Sequence, residues 1–457
     1  MVRGQDSAIT DDQRHLQHRA IKILQNKLED ATRMFSKLVV KPGPAGTVRK
    51  LKFSLVSEAF NEAISALEDW QRRYEPSWFQ LIKLAPPEID VELNRAIRKG
   101  SSAVVPSAMV ARQFRRAFKN PSEASQSVFI DGGALAGCKK TVIPFSTATV
   151  ATVPTVPTCP ATPQRLIVDV VTPGAVERKD ARSLAFRLRD ADPATFGLLS
   201  CKGVLQGGTQ AHEMAFLLRI PDGFTRVSSV RQLLLSGRAH DSLSHRLEMA
   251  RRLATAVYYV HLYGFVHKNI RPETILSLGS GEEDDDDDGP PPHNAFLVGY
   301  QVVRDADGRT RPAADCTPET NLYRHPQRWG NDPEYFSMQH DIYSLGVCLL
   351  EIGLWESFVS YDDANGVARL SQDALGDLST VRDPGLLKDR LVQLSKGAGL
   401  RGRMGDKYSR VVETCLTCLD KDNMDFGDDE EFVDEDGVVV GARYIEKILG
   451  VLELVSI

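Results

Sequence analysis

Apolar residues recur at three-and-four spacing in several stretches of the chain, and each such stretch predicts a helix. Ala20, Leu24, Leu28, Ala31, Phe35 and Leu38 trace one stripe; Val56, Phe60, Ala63, Leu67, Trp70 and Tyr74 trace a second. The breaker cluster Lys41 to Gly46 between them makes the two helices neighbours in a hairpin or bundle. Further along, Leu243, Leu247, Ala250, Ala254 and Val257 follow the capping candidates Asp241 and Ser242, and Gly264 stops the run. Shorter apolar runs predict strands at Leu166 to Val171, Phe196 to Leu205, Glu213 to Pro221 and Ala295 to Tyr300, with a short helix over Asp180 to Asp190. Residues 101–163 read as a connector: Ser101 to Met109 is small and mixed, Arg112 to Lys119 is basic, and Thr, Val, Ala and Pro alternate from Thr147 to Gln164 without a helical period. The organisation expected is a helical bundle over 1–100, a linker over 101–163, and an α+β region divided into a strand-rich part, 164–225, and a helical part, 226–457.

Three stretches carry motif information. The first is Val266-His267-Lys268-Asn269-Ile270-Arg271-Pro272-Glu273-Thr274-Ile275-Leu276; the second is Tyr323-Arg324-His325-Pro326-Gln327; the third is Asp341-Ile342-Tyr343-Ser344-Leu345-Gly346-Val347-Cys348-Leu349-Leu350-Glu351. In this order they resemble the H-R-D-L-K-P-E-N catalytic loop, the Y-x-A-P-E end of the activation segment and the buried D-x-W-S-L-G-V helix of protein kinases. The resemblance implies a bilobal protein-kinase-like fold over about 165–455, preceded by the all-α bundle. It implies structural roles for His267, Arg271, Pro272, Glu273, Gly299, Pro326, Asp341 and Gly346, with Asp341 holding the loop backbone.

The chemistry of that family is altered here. The kinase Asp that receives the substrate proton is replaced by Asn269, a neutral amide that takes up no proton near pH 7. The metal-binding Asn is replaced by Thr274. Ala295 to Tyr300 resembles the D-F-G strand, which places Leu297, without an oxygen, at the position of the second metal ligand. Leu166 to Val171 resembles the V-A-I-K strand but holds no Lys, the helix over Asp180 to Arg189 lacks the pairing Glu, and no G-x-G-x-x-G precedes them. Magnesium is not expected, and ATP binding is left open. The function expected is a pseudokinase, a signalling or scaffolding module that binds partners. The alternatives are an atypical Ser/Thr kinase that recovers its metal through displaced acids, and an inert interaction module with a closed pocket.

Lys50 to Trp78 resembles the later part of the HeLo-type helical domains of fungal signalling proteins, which implies self-association or partner binding through the N-terminal helices; a generic self-associating bundle accounts for the pattern equally well. At 457 residues, 42% apolar and 26% charged, the composition is that of a soluble globular protein of two or three domains. No signal peptide or spanning run is found, and the seven cysteines are odd in number and scattered, so an intracellular, cytoplasmic location is expected. Cys415 and Cys418 form a lone C-x-x-C in an apolar pattern and read as core. The acidic runs Glu282 to Asp288 and Asp428 to Asp436 lack calcium-loop spacing and read as solvated loops. Arg112, Arg115, Arg116 and Lys119 read as an exposed basic helix face, with no specific nucleic-acid partner.

Overall fold

The computed structural model describes residues 75–83, 85, 87–99, 104–118, 127–153, 164–207, 214–236, 242–280, 294–305, 317–329, 335–362, 366–376, 383–423, 425–426 and 438–455. The chain divides into two compact units, residues 1–86 and 87–457. In the first, residues 75–83 are helical; the two stripes at 20–38 and 56–74, and both acidic runs, lie outside the described residues.

The larger unit is mixed helix and sheet. It opens with helices α1 (Glu88–Lys99) and α2 (Val104–Arg116), tied by Arg115 Nε to Asp90 at 2.6 Å. Strands β1 (Phe129–Asp131), β2 (Lys139–Val142), β3 (Thr149–Thr152), β4 (Arg165–Val170), β5 (Cys201–Gln206) and β6 (Met214–Arg219) form one six-stranded sheet in the order β1-β5-β6-β4-β3-β2. All neighbours are antiparallel except β1 and β5. Strand register sorts the sheet into two faces. Ala151, Leu166, Val168, Ala215 and Leu217 pack under Leu135, with Ile130 and Cys138 alongside. Val150, Ile167, Asp169, Phe216 and Leu218 share the opposite face.

Two expectations change here. Residues 101–163 are not simply a connector: they hold α2 and three strands of the sheet. Alternating Thr and Val lacks a helical period because it has the period of a strand and the β-branched residues that favour one. The run from Phe196 to Leu205 is not one strand either. Asp192 accepts from Thr195 N at 3.0 Å and caps a one-turn helix, Pro193–Phe196, which Gly197 ends at φ 63°, and β5 begins only at Cys201.

Helix α3 (Arg178–Leu188) precedes β5 and packs on it. After β6 come β7 (Arg226–Ser229) and the short helix α4 (Val230–Leu235), capped by Ser229. Helix α5 (Leu243–Leu262) is capped by Ser242, which accepts from His245 N at 3.2 Å, and Gly264 follows at φ 79°. Then come β8 (Phe265–Val266), β9 (Ile275–Gly279), β10 (Asn294–Leu297) and β11 (Arg304–Asp305); β10, β9 and β7 form a three-stranded sheet, and β11 pairs with β8.

Helix α6 (Met338–Leu354) is buried over nearly all its length, as its unbroken apolar run requires. It crosses α8 (Ala398–Leu416), which follows α7 (Pro384–Lys396). Gly346 makes the close crossing: a Cβ there would lie 2.7 Å from Cys415 Cβ and 3.1 Å from Leu416 N. Cys415 and Cys418 are buried, and Cys418 donates to the carbonyl of Gln339 at 3.2 Å. Among the described residues, no helix is long and apolar enough to cross a membrane.

Candidate functional site

The motif residues converge where α6, the loop from Val266 to Thr274 and the segment after β10 meet. Asp341, in the first turn of α6, is fully buried. Its carboxylate accepts from the backbone N–H groups of His267 (2.7 Å) and Lys268 (2.8 Å), and from His261 Nε2 at 3.0 Å. Burial pushes this carboxyl up, but the His261 hydrogen bond and the neighbouring imidazoles more than offset it and hold it below the usual range. The two backbone bonds fix Lys268 at φ 67°, a left-handed conformation unfavourable for a residue with a Cβ. His267 accepts at Nδ1 from Asn269 N (3.3 Å) and donates from Nε2 to the Val298 carbonyl (3.1 Å). Burial lowers its pKa to about 4, despite Asp341, so it is neutral.

Each altered position is tied into this frame. The Asn269 amide donates to the Gly299 carbonyl (3.3 Å) and to Gln301 Oε1 (3.1 Å). An aspartate could make neither donation. The Thr274 hydroxyl lies 2.7 Å from the Asn269 carbonyl and 2.9 Å from that of Arg271, and accepts from Arg271 N at 3.2 Å, closing the turn Pro272–Thr274. Leu297 is fully buried at the end of β10. Gly299 stands at φ 89° directly against Thr274, where a Cβ would fall 2.3 Å from Thr274 Cγ2. These residues do not suit magnesium, a hard cation that needs oxygen ligands: one is a buried leucine, one an amide turned donor-first, and one a hydroxyl occupied with backbone.

A residue that the sequence reading passed over completes the site. Asp169 is the single charge in the run Leu166 to Val171 and is fully buried. Its Oδ2 accepts from Gly299 N and Tyr300 N, both at 2.8 Å, while Oδ1 has no hydrogen-bond partner. Burial raises its pKa to about 6, against the lowering effect of those two amides. A lone acid inside an apolar strand was the available signal, since carboxylates are seldom fully buried without a partner. Gln301 gave no such signal.

Beneath the site, Arg231 of α4 is fully buried among acids. It donates to Glu273 (3.0 Å), Glu351 (2.8 Å), Ser357 Oγ (2.6 Å) and the Tyr323 hydroxyl, which in turn donates to Glu351 at 2.7 Å. Burial raises the Glu351 carboxyl despite Arg231, whereas Glu273, also buried, is drawn below its usual range by Arg231 and Arg271. Tyr323 thus seats the segment before Pro326 on α6, and Ser344 Oγ donates to the Tyr323 carbonyl at 2.6 Å. Arg271 and Pro272 belong to the turn into β9, and Pro326 opens a single 3-10 turn, Pro326–Arg328.

The β2–β3 loop, residues 143–148, reaches the same region. Its Pro144 carbonyl accepts from Ser229 Oγ at 2.6 Å, its Thr147 hydroxyl accepts from Gln301 Nε2, and the Phe145 ring rests 4.7 Å from that of Tyr361 in β12 (Val359–Tyr361).

No family model matches the chain. Over 109 residues, 23% of its length, it is 35% identical to a serine/threonine-protein kinase-like protein of Arabidopsis thaliana. The matched part spans 27% of that protein. The similarity points to a kinase-like family at most, and the plant protein's name speaks of likeness rather than of a reaction.

Proposed function

We propose that this chain is a pseudokinase-type module: a bilobal kinase-like body that binds protein partners and does not transfer phosphate, joined to N-terminal helices, HeLo-like in sequence, that supply self-association. A cytoplasmic location suits that role. The observation that carries the proposal is Asp169. Where a kinase places a lysine to attract the α- and β-phosphates, this chain places a carboxylate whose oxygen is bonded to the Gly299 and Tyr300 amides. An anion held in that position repels a polyphosphate, the more so in a buried site of low dielectric. Asn269, Thr274 and Leu297, each engaged in structure, support the same reading.

The test is thermal unfolding of the full chain with millimolar ATP, with and without magnesium, because a ligand that binds only the folded state raises the midpoint through RT ln(1 + [L]/Kd). The expected result is no shift in either condition. A magnesium-dependent shift, followed by label transfer from ATP to a peptide or to the chain itself, would overturn the proposal in favour of an atypical Ser/Thr kinase.

A further inference from the structure

We propose that the β2–β3 loop, residues 143–148, is a strap fastened onto the motif loop, and that Asn269 is its anchor. The inference deepens the non-catalytic reading by giving the residue at the lost base position work of its own.

The fastening begins in the motif loop. Asn269 Nδ2 donates to Gln301 Oε1 at 3.1 Å, and Gln301 Nε2 donates onward to Thr147 Oγ1, so one amide passes the bond to the next and reaches the strap. A relay of this kind needs a donor at its first member, which Asn has and an ionised Asp lacks, and both a donor and an acceptor at its middle member, which Gln supplies. Two further ties come from separate elements. Ser229, buried at the start of α4, donates to Pro144, and Tyr361, against which Phe145 rests, donates its hydroxyl to Glu273 Oε1 at 3.0 Å. The strap is therefore tied to the motif loop, to α4 and, through Tyr361, to the Arg231 cluster.

The strap's own backbone supports this view. Phe145 has φ 54°, a conformation that a bulky aromatic residue keeps only where its surroundings over-determine it. Within the strap, Ser146 N bonds to the Ile143 carbonyl (3.1 Å) and Ala148 N to Ser146 Oγ (3.2 Å), so the segment forms a set turn and not a slack loop. It contains no glycine, unlike the phosphate-covering loop expected at this place in a kinase.

Hydrogen exchange followed by mass spectrometry on the full chain tests the strap, reading the peptide that spans 143–148 against one from α6. Thr147→Val, at an exposed position where the fold is least at risk, and Gln301→Met should each speed exchange of the strap by about tenfold, the effect of losing one hydrogen bond, with α6 unchanged. Thr147→Ser, which keeps the acceptor, should leave exchange at the wild-type rate. Asn269→Ala should match Gln301→Met, and combining the two should add little, because they break one relay. Equal strap exchange in wild type and in both Thr147→Val and Gln301→Met would overturn the strap and leave the non-catalytic reading standing. Phosphate transfer by the wild-type chain would overturn that reading and leave the strap untouched.

Discussion

Asn269 spends its amide on two donations that a carboxylate could not make. Restoring the carboxylate by Asn269→Asp is expected to yield no phosphate transfer above background in a radiolabel assay, since Thr274 and Leu297 still offer no metal ligand set. The same change sets an acceptor against the Gly299 carbonyl, so urea unfolding should show a loss of about 1–2 kcal/mol. Measurable turnover in this single variant would contradict the account of the site. Arg231 is the buried cation that Glu273 and Glu351 share. Arg231→Met leaves Glu351 and Glu273 buried without their cation and should cost about 3–5 kcal/mol by the same measurement, whereas adding Glu351→Gln and Glu273→Gln should recover much of it. At this scale the sequence spoke where motif spacing carried meaning: Asp341 accepts from the His267 and Lys268 amides and so holds the loop backbone. It was silent on Gln301, whose partners Asn269 and Thr147 lie 32 and 154 residues away. Asp169 was visible as an odd charge, but its amide partners belong to a segment 130 residues on.

Between elements, the crossing of α6 over α8 is set by the missing side chain of Gly346. Gly346→Ala would press a methyl into Cys415 and the Leu416 backbone, and an overpacked crossing of this kind should lower stability by about 1–3 kcal/mol, read as a lower urea midpoint with an unchanged slope. An unchanged midpoint would mean that the helices part freely, contrary to the packing described. Helix α5 was legible because a long periodic run with a cap leaves little choice, and α6 because Asp341 to Glu351 resembles a known buried helix. Strands β2 and β3 were not, being four residues each, so nothing in their local pattern separates a strand from a spacer. β3 acquires its identity from β4, and β2 from β3, partners that only the folded sheet supplies.

The whole molecule carries an acid sensitivity in its buried imidazoles. Burial lowers His267 and His340 to about 4 and His325 to about 3, from an ordinary value of 6.5. For such groups the unfolded chain binds the proton more readily, so their contribution to stability is complete above about pH 6.5 and is lost as pH falls toward 4. Asp169, raised to about 6, has the opposite sign: it favours the folded state at low pH and ceases to do so as pH rises from 3.8 through 6. Three groups outweigh one, and the unfolding temperature should fall steadily from pH 7 to pH 4.5. A flat profile would mean that these histidines are not sealed from water in the folded chain.

The parallel pairing of β1 with β5 also bears on how the protein can be cut. A fragment beginning at residue 164, where motif similarity starts, would lack β1, β2 and β3 and so present β4 and β5 as two raw edges, with Leu166, Val168, Ala215 and Leu217 stripped of the Leu135 and Ala151 cover. Unpaired edges beside bare apolar surface recruit other chains. Such a fragment is expected to scatter light at micromolar concentration, whereas one beginning before Glu88 stays dispersed.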